Sequence, residues 1–137
     1  MKKNKRGFTL VEIMIVVAII ALLAAIAIPN LLRARLTAAQ ASAQATLRTI
    51  STAMESYAAG HQGNYPLTDE IEADLVNVTP PYLNENYCDD AIRNLYTFDC
   101  TSTAGGYSIV ANPQSTTGGI VYTITTGGVL TPGSPQQ

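Results

Sequence analysis

From residue 8 to residue 28 the chain is almost wholly apolar, FTLVEIMIVVAIIALLAAIAI. As one helix rising roughly 1.5 Å per residue, this run is long enough to cross the ~30 Å hydrocarbon layer of a bilayer. Lys2, Lys3, Lys5 and Arg6 stand before it. Basic residues on that side hold the N-terminal end in the cytoplasm and place whatever follows outside it. Glu12 is the one charge inside the run. A carboxylate there costs about 2.5–3.5 kcal/mol on insertion scales. It needs a partner or must stay protonated. A neutral Glu12 near the membrane interface is the plain alternative.

An ordinary secretory signal offers a competing reading, with Ala25-Ile26-Ala27 as its small-residue cleavage site. The chain would then be a secreted or membrane-anchored binding module. The run is long for a signal core, Glu12 interrupts it, and its helical pattern continues past the cut. Those features favour a retained helix. The basic stretch, then Gly-Phe-Thr-Leu-Val-Glu, about twenty apolar residues and Pro29 together resemble the type III leader and N-terminal helix of type IV pilins and of type II secretion pseudopilins. The resemblance covers roughly the first 60 residues. It implies cleavage between Gly7 and Phe8 by a prepilin peptidase, then methylation of the new Phe8 amine. It implies a homo-oligomeric filament whose core is the apolar helix. Glu12 would meet the Phe8 amine of a neighbouring subunit and set the register. Storage in the bacterial inner membrane, handling by pilus or secretion assembly machinery, and a final place at the cell surface or in the periplasm follow from the same resemblance.

A helical face continues beyond Pro29. Leu32, Leu36, Ala39, Ala43, Leu47, Ile50, Met54 and Tyr57 are spaced by three or four residues. Arg33, Arg35, Gln40, Gln44, Arg48, Ser51 and Glu55 take the other side. Pro29 removes one hydrogen bond and should kink the helix. Gly60 is the expected stop. After it, residues 61–94 read as an irregular connection. Asp69 and Glu72 have capping-box spacing for a short helix to about Val76. From residue 95 the texture is β: Tyr107-Ser108-Ile109-Val110-Ala111 and Ile120-Val121-Tyr122-Thr123-Ile124-Thr125 are set between Gly pairs.

The expected architecture is α+β, a long N-terminal helix packed on an antiparallel sheet of three or four strands. Its parts are a leader over 1–7, a transmembrane and filament-core helix over 8–28, an amphipathic helical half over 29–60, a connecting loop over 61–94, the sheet over 95–130, and a loose tail over 131–137.

Charge excludes one class of partner. After Ala59, Arg93 alone faces eight carboxylates. Such a head repels nucleic acid phosphate. Cys88 and Cys100, the only cysteines, suggest a disulfide in an exported domain, with two buried free thiols as the alternative. In type IV pilins a disulfide often brackets the last strands; here the pair precedes most of the predicted sheet. Asp89, Asp90 and Asp99 are weak calcium candidates, but they match no ligand loop, and a solvated acidic loop is the simpler reading. The lone His61 reads as a capping or surface residue, and no nucleophile or acid–base constellation marks an enzyme or calls for a cofactor. The function expected is a structural one. The chain is a pilus-like filament subunit or, alternatively, a pseudopilin.

Overall fold

The computed structural model describes residues 7–114 and 118–135. The basic residues Lys2, Lys3, Lys5 and Arg6 lie outside the described residues. Helix α1 spans Leu10–Gly60 and continues through Pro29. Four strands follow, β1 (Tyr96–Thr103), β2 (Gly106–Pro113), β3 (Ile120–Thr125) and β4 (Val129–Pro135). They form an antiparallel meander in the order β1-β2-β3-β4. The chain divides into two compact units, residues 1–35 and 36–137.

In the first unit no apolar side chain from Leu10 onward is buried, and the helix there is long and apolar enough to cross a membrane. In the second unit α1 carries every one of its buried residues, from Ala39 to Ala58. Leu47, Ile50 and Met54 reach zero exposure and share one core with Tyr96, Phe98, Ile109, Tyr122 and Ile124. This is the expected helix-on-sheet arrangement. The stripe predicts its members well from Ala39 to Met54; Leu32, in the first unit, is exposed. Alternation in the strands follows from the two-residue period. Tyr107, Ile109 and Ala111 of β2 point into the core, and Ser108 and Val110 do not.

The ends of the elements depart from the sequence reading. α1 does stop at Gly60, but the left-handed residues that terminate it are Gln62 and Gly63, and the Gly63 N–H donates to Ala58 O at 2.8 Å. The Asp69–Glu72 capping box does not form. A π-helical turn occupies Glu72–Val76 with Ile71 before it and no side-chain cap, while the Glu72 carboxylate accepts from Asn86 Nδ2 at 3.1 Å. The buried anchors Ile71 and Leu75 fix this turn instead of a cap. Residues 131–135, read from sequence as loose tail, form most of β4. Their pairing with β3 outweighs a composition of Thr, Pro, Gly and Ser that has little strand preference.

Both edges of the sheet are occupied or blunted. Beside β1, Thr68 Oγ1 donates to Ser102 O at 3.0 Å and accepts from Ser102 N at 2.8 Å. The Tyr65 N–H donates to Ala104 O at 3.1 Å. On the other side β4 carries Pro132 and Pro135, which have no N–H to offer.

Candidate assembly site

The N-terminal motif is built on a reciprocal cap. Thr9 precedes the first residue of α1 and Glu12 stands three residues later. The Glu12 carboxylate accepts from the Thr9 N–H at 2.8 Å and from Thr9 Oγ1 at 2.7 Å. Thr9 Oγ1 in turn accepts from the Glu12 N–H at 3.2 Å. Two of the orphan donors of the helix start are thereby satisfied. The sequence reading treated Glu12 as a charge seeking an amine and missed Thr9. The signal was present, since Thr9-Leu10-Val11-Glu12 has capping-box spacing ahead of an apolar run. Gly7 has nothing within 4 Å of where a Cβ would sit, and Phe8 is 85 % exposed. Among the described residues, Gly7 and Phe8 are therefore open to another macromolecule. Pro29 lies within the exposed apolar stretch of α1.

In the second unit a half-buried carboxylate fastens α1 to the sheet. Glu55 Oε1 accepts from the Gly127 N–H at 2.7 Å and from Tyr107 Oη at 3.0 Å; Glu55 Oε2 accepts from Tyr65 Oη at 2.9 Å. Gly127 sits in the β3–β4 turn at φ 81°, a conformation suited to glycine. Ser51 Oγ lies 2.7 Å from Tyr107 Oη and completes the group. Burial pushes the Glu55 pKa up, but the three donors outweigh it and hold the carboxyl below its ordinary value. Burial, with the carboxylate of Glu55 beside it, pushes Tyr107 up to about 12. Sequence reasoning had Glu55 only as a member of the polar face. No short motif encodes this clamp, because its donors are far apart in the chain.

Cys88 and Cys100 are bonded, with Cα atoms 5.6 Å apart. The bridge ties the connecting loop to β1. Within that loop Arg93 is the hub. Its guanidinium donates to Asp89 at 2.7 and 3.1 Å and to Asn86 O at 2.7 Å, pairs with Glu85 at 3.6 Å and lies over the Tyr87 ring. The hydrogen bonds from Arg93 hold the Asp89 carboxyl down at about 2. The three weak calcium candidates are thus not gathered into a donor set. Asp89 is engaged by Arg93, and Asp99 accepts from Asn112 Nδ2 at 2.6 Å. Among the described residues no group of three or more His, Cys, Asp or Glu side chains is placed to hold a metal ion. His61 caps the end of α1 as expected, its Nδ1 2.8 Å from Tyr57 O and its ring stacked on Tyr57 at 3.8 Å.

Comparison with known proteins agrees with this layout. The family profile described as the prokaryotic N-terminal methylation motif matches residues 2–28. The type IV major pilin protein PilA of Myxococcus xanthus is 52 % identical over 54 residues, 39 % of this chain and 24 % of that protein. The type IV wide pilus major component PilA4 of Thermus thermophilus is 67 % identical over 33 residues, 24 % of this chain and 25 % of that protein. The type II secretion system core protein G of Dickeya chrysanthemi is 32 % identical over 97 residues, 69 % of this chain and 63 % of that protein. The chain thus spans about a quarter of the two pilins and under two thirds of the Dickeya protein. No solved structure matches it. A methylation motif at the start of an unburied apolar helix, an amphipathic continuation of that helix on a four-stranded antiparallel sheet, and the likeness to both pilins and core protein G support a type IV pilin-like protein.

Proposed function

We propose that the chain is a structural subunit of a type IV pilus-like filament, stored in the bacterial inner membrane and polymerised through the first half of α1. The observation that carries this reading is the apolar stretch of α1, whose side chains find no burial within the molecule. A surface of that kind is stable in lipid or against copies of itself. Ala18, Ala21, Ala24, Ala25 and Ala27 permit close approach of helices there. Cutting after Gly7 by a prepilin peptidase leaves a charged amine at Phe8, one residue before the cap. Glu12 then serves twice. It caps its own helix through Thr9 and offers its remaining lone pairs to the Phe8 amine of the adjacent subunit, which fixes the register of an otherwise weakly directional packing.

Glu12→Val tests this reading. The variant should insert, because its membrane segment is more apolar, and be cleaved normally. It should then accumulate as monomer, since a buried amine left without its carboxylate costs about 3–5 kcal/mol. Sheared-filament yield is measured beside the inner-membrane fraction. A wild-type yield would refute registration by Glu12.

A second reading, a pseudopilin of a type II secretion system with a periplasmic filament, is favoured by one observation. The likeness to core protein G runs over 69 % of the chain and so reaches into the head, whereas the likeness to the Myxococcus pilin covers 39 %. Deletion of the gene separates the two. Loss of surface filaments supports the pilus, and loss of exported protein supports secretion.

A further inference from the structure

Most charged groups of the second unit are satisfied within it. Glu55, Asp74, Glu72 and Asp99 accept hydrogen bonds, and Glu85 and Asp89 are paired with Arg93. Asp90 is different. It is exposed, and its side chain makes no hydrogen bond or ion pair among the described residues. The same holds for the guanidinium of Arg48, exposed on α1. An acid and a base of one chain are thus both left open.

Asp90 also occupies a braced position. The Cys88–Cys100 bond and the Arg93 hub close the loop on either side of it. The backbone is left-handed at Asp90 (φ 59°), Asn94 (φ 48°) and Leu95 (φ 70°). Asn94 Nδ2 donates to Ser42 Oγ of α1 at 2.9 Å, anchoring the loop to the helix. Two residues after Asp90, Ile92 stands 63 % exposed. A free carboxylate and an apolar side chain are therefore displayed together on a backbone that has little freedom left to lose on binding.

We propose that this loop tip docks on the exposed face of α1 around Arg48 of a second copy of the chain. Asp90 accepts from the Arg48 guanidinium of the neighbour, a charge-assisted pair. Ile92 covers the aliphatic stem of that arginine and the methyl of Ala45, which shares its helix face three residues earlier. The occupant is a second copy because one chain supplies both complementary halves and does not pair them internally. The proposal rests on the filament reading and adds a head-level contact to the helical one.

Photo-crosslinking of the full chain tests it. With p-benzoylphenylalanine at position 92, illuminated filaments should yield covalent dimers whose tryptic adduct joins residues 49–93 of one copy to residues 36–48 of the other. Arg48→Glu alone and Asp90→Lys alone should each lower sheared-filament yield about tenfold, and the pair together should recover to within about threefold of wild type. Asp90→Asn suits the left-handed backbone and removes only the charge, so it guards against a folding defect. It too should lower the yield. Adducts elsewhere, wild-type yields from the single variants, or a double variant no better than either single one would overturn the docking while filaments still form. A wild-type chain that forms no filament would instead overturn the filament reading.

Discussion

Two stretches of one helix, both rich in Ala, behave in opposite ways. From Leu10 to Arg35 no apolar side chain of α1 is buried; from Ala39 to Ala58 eight residues are. Hydrophobicity alone does not separate them, for the first stretch is the more apolar. The difference is periodicity. The second stretch confines its larger apolar residues to one face, and a four-stranded sheet covers that face. The first is apolar all round, so no single sheet could cover it. What surrounds such a helix must come from outside the subunit, as lipid or as other helices. The contrast teaches that the chain encodes its own fold in the second stretch, and leaves the first free for the assembly proposed above.

Substitutions can break that division. The largest effect is expected at the motif. Gly7→Leu puts a branched side chain beside the expected cut and should leave only full-length precursor on a mass spectrum, with the head still folded. A mature Phe8 terminus in that variant would remove the processing argument. Next comes a paired comparison. Leu47→Ala, at zero exposure, should destabilise the head by about 2–5 kcal/mol, the usual range for a large-to-small core change. Leu22→Ala, at 65 % exposure, should leave the thermal midpoint of the head unchanged. Equal midpoint shifts would dissolve the contrast. A smaller effect is expected from Glu55→Gln, which keeps the shape but sets an amide N–H₂ against donors. It should cost roughly 1–2 kcal/mol, the lower range for hydrogen bonds to a charged group because the site is only half-buried. Thermal denaturation followed by tyrosine circular dichroism reads both changes.

The smallest effect concerns pH. Asp89 is held at about 2 by Arg93, below its ordinary value of 3.8. A carboxyl with a depressed folded pKa contributes stability that is complete above the unfolded value and fades as pH falls through the folded one. Part of the head's stability should therefore be lost between about pH 4 and pH 2, and Asp89→Asn should flatten that part of the profile. An unchanged acid limb would show that the Arg93 hub is not coupled to folding.

Legibility of these features in the sequence followed the range over which each is encoded. The helix, the core stripe from Ala39 to Met54, and the strands at Tyr107 and Ile120 are local patterns and could be read. The disulfide followed from two cysteines and the expected export of the domain. The Thr9–Glu12 cap is equally local, but a carboxylate in an apolar run carries two signals, a charge and a cap, and the charge is the stronger one. The Glu55 clamp was beyond sequence reasoning, because Tyr65, Tyr107 and Gly127 approach it only after the sheet has closed. β4 was missed for a related reason. Thr131 to Pro135 have little strand preference of their own, and their extended conformation is imposed by β3.

The proline-bearing edge of the sheet has a consequence for crowding. Under the proposed function, subunits held side by side in a membrane would meet at high effective concentration, and an open strand edge would invite heads to zip together through their backbones. Pro132 and Pro135 withhold donors on one edge, and Thr68 with Tyr65 occupies the other. Neighbouring heads therefore have no continuous ladder to extend. In the proposed filament their association would be left to side-chain contacts, which can be made and undone without unravelling the fold.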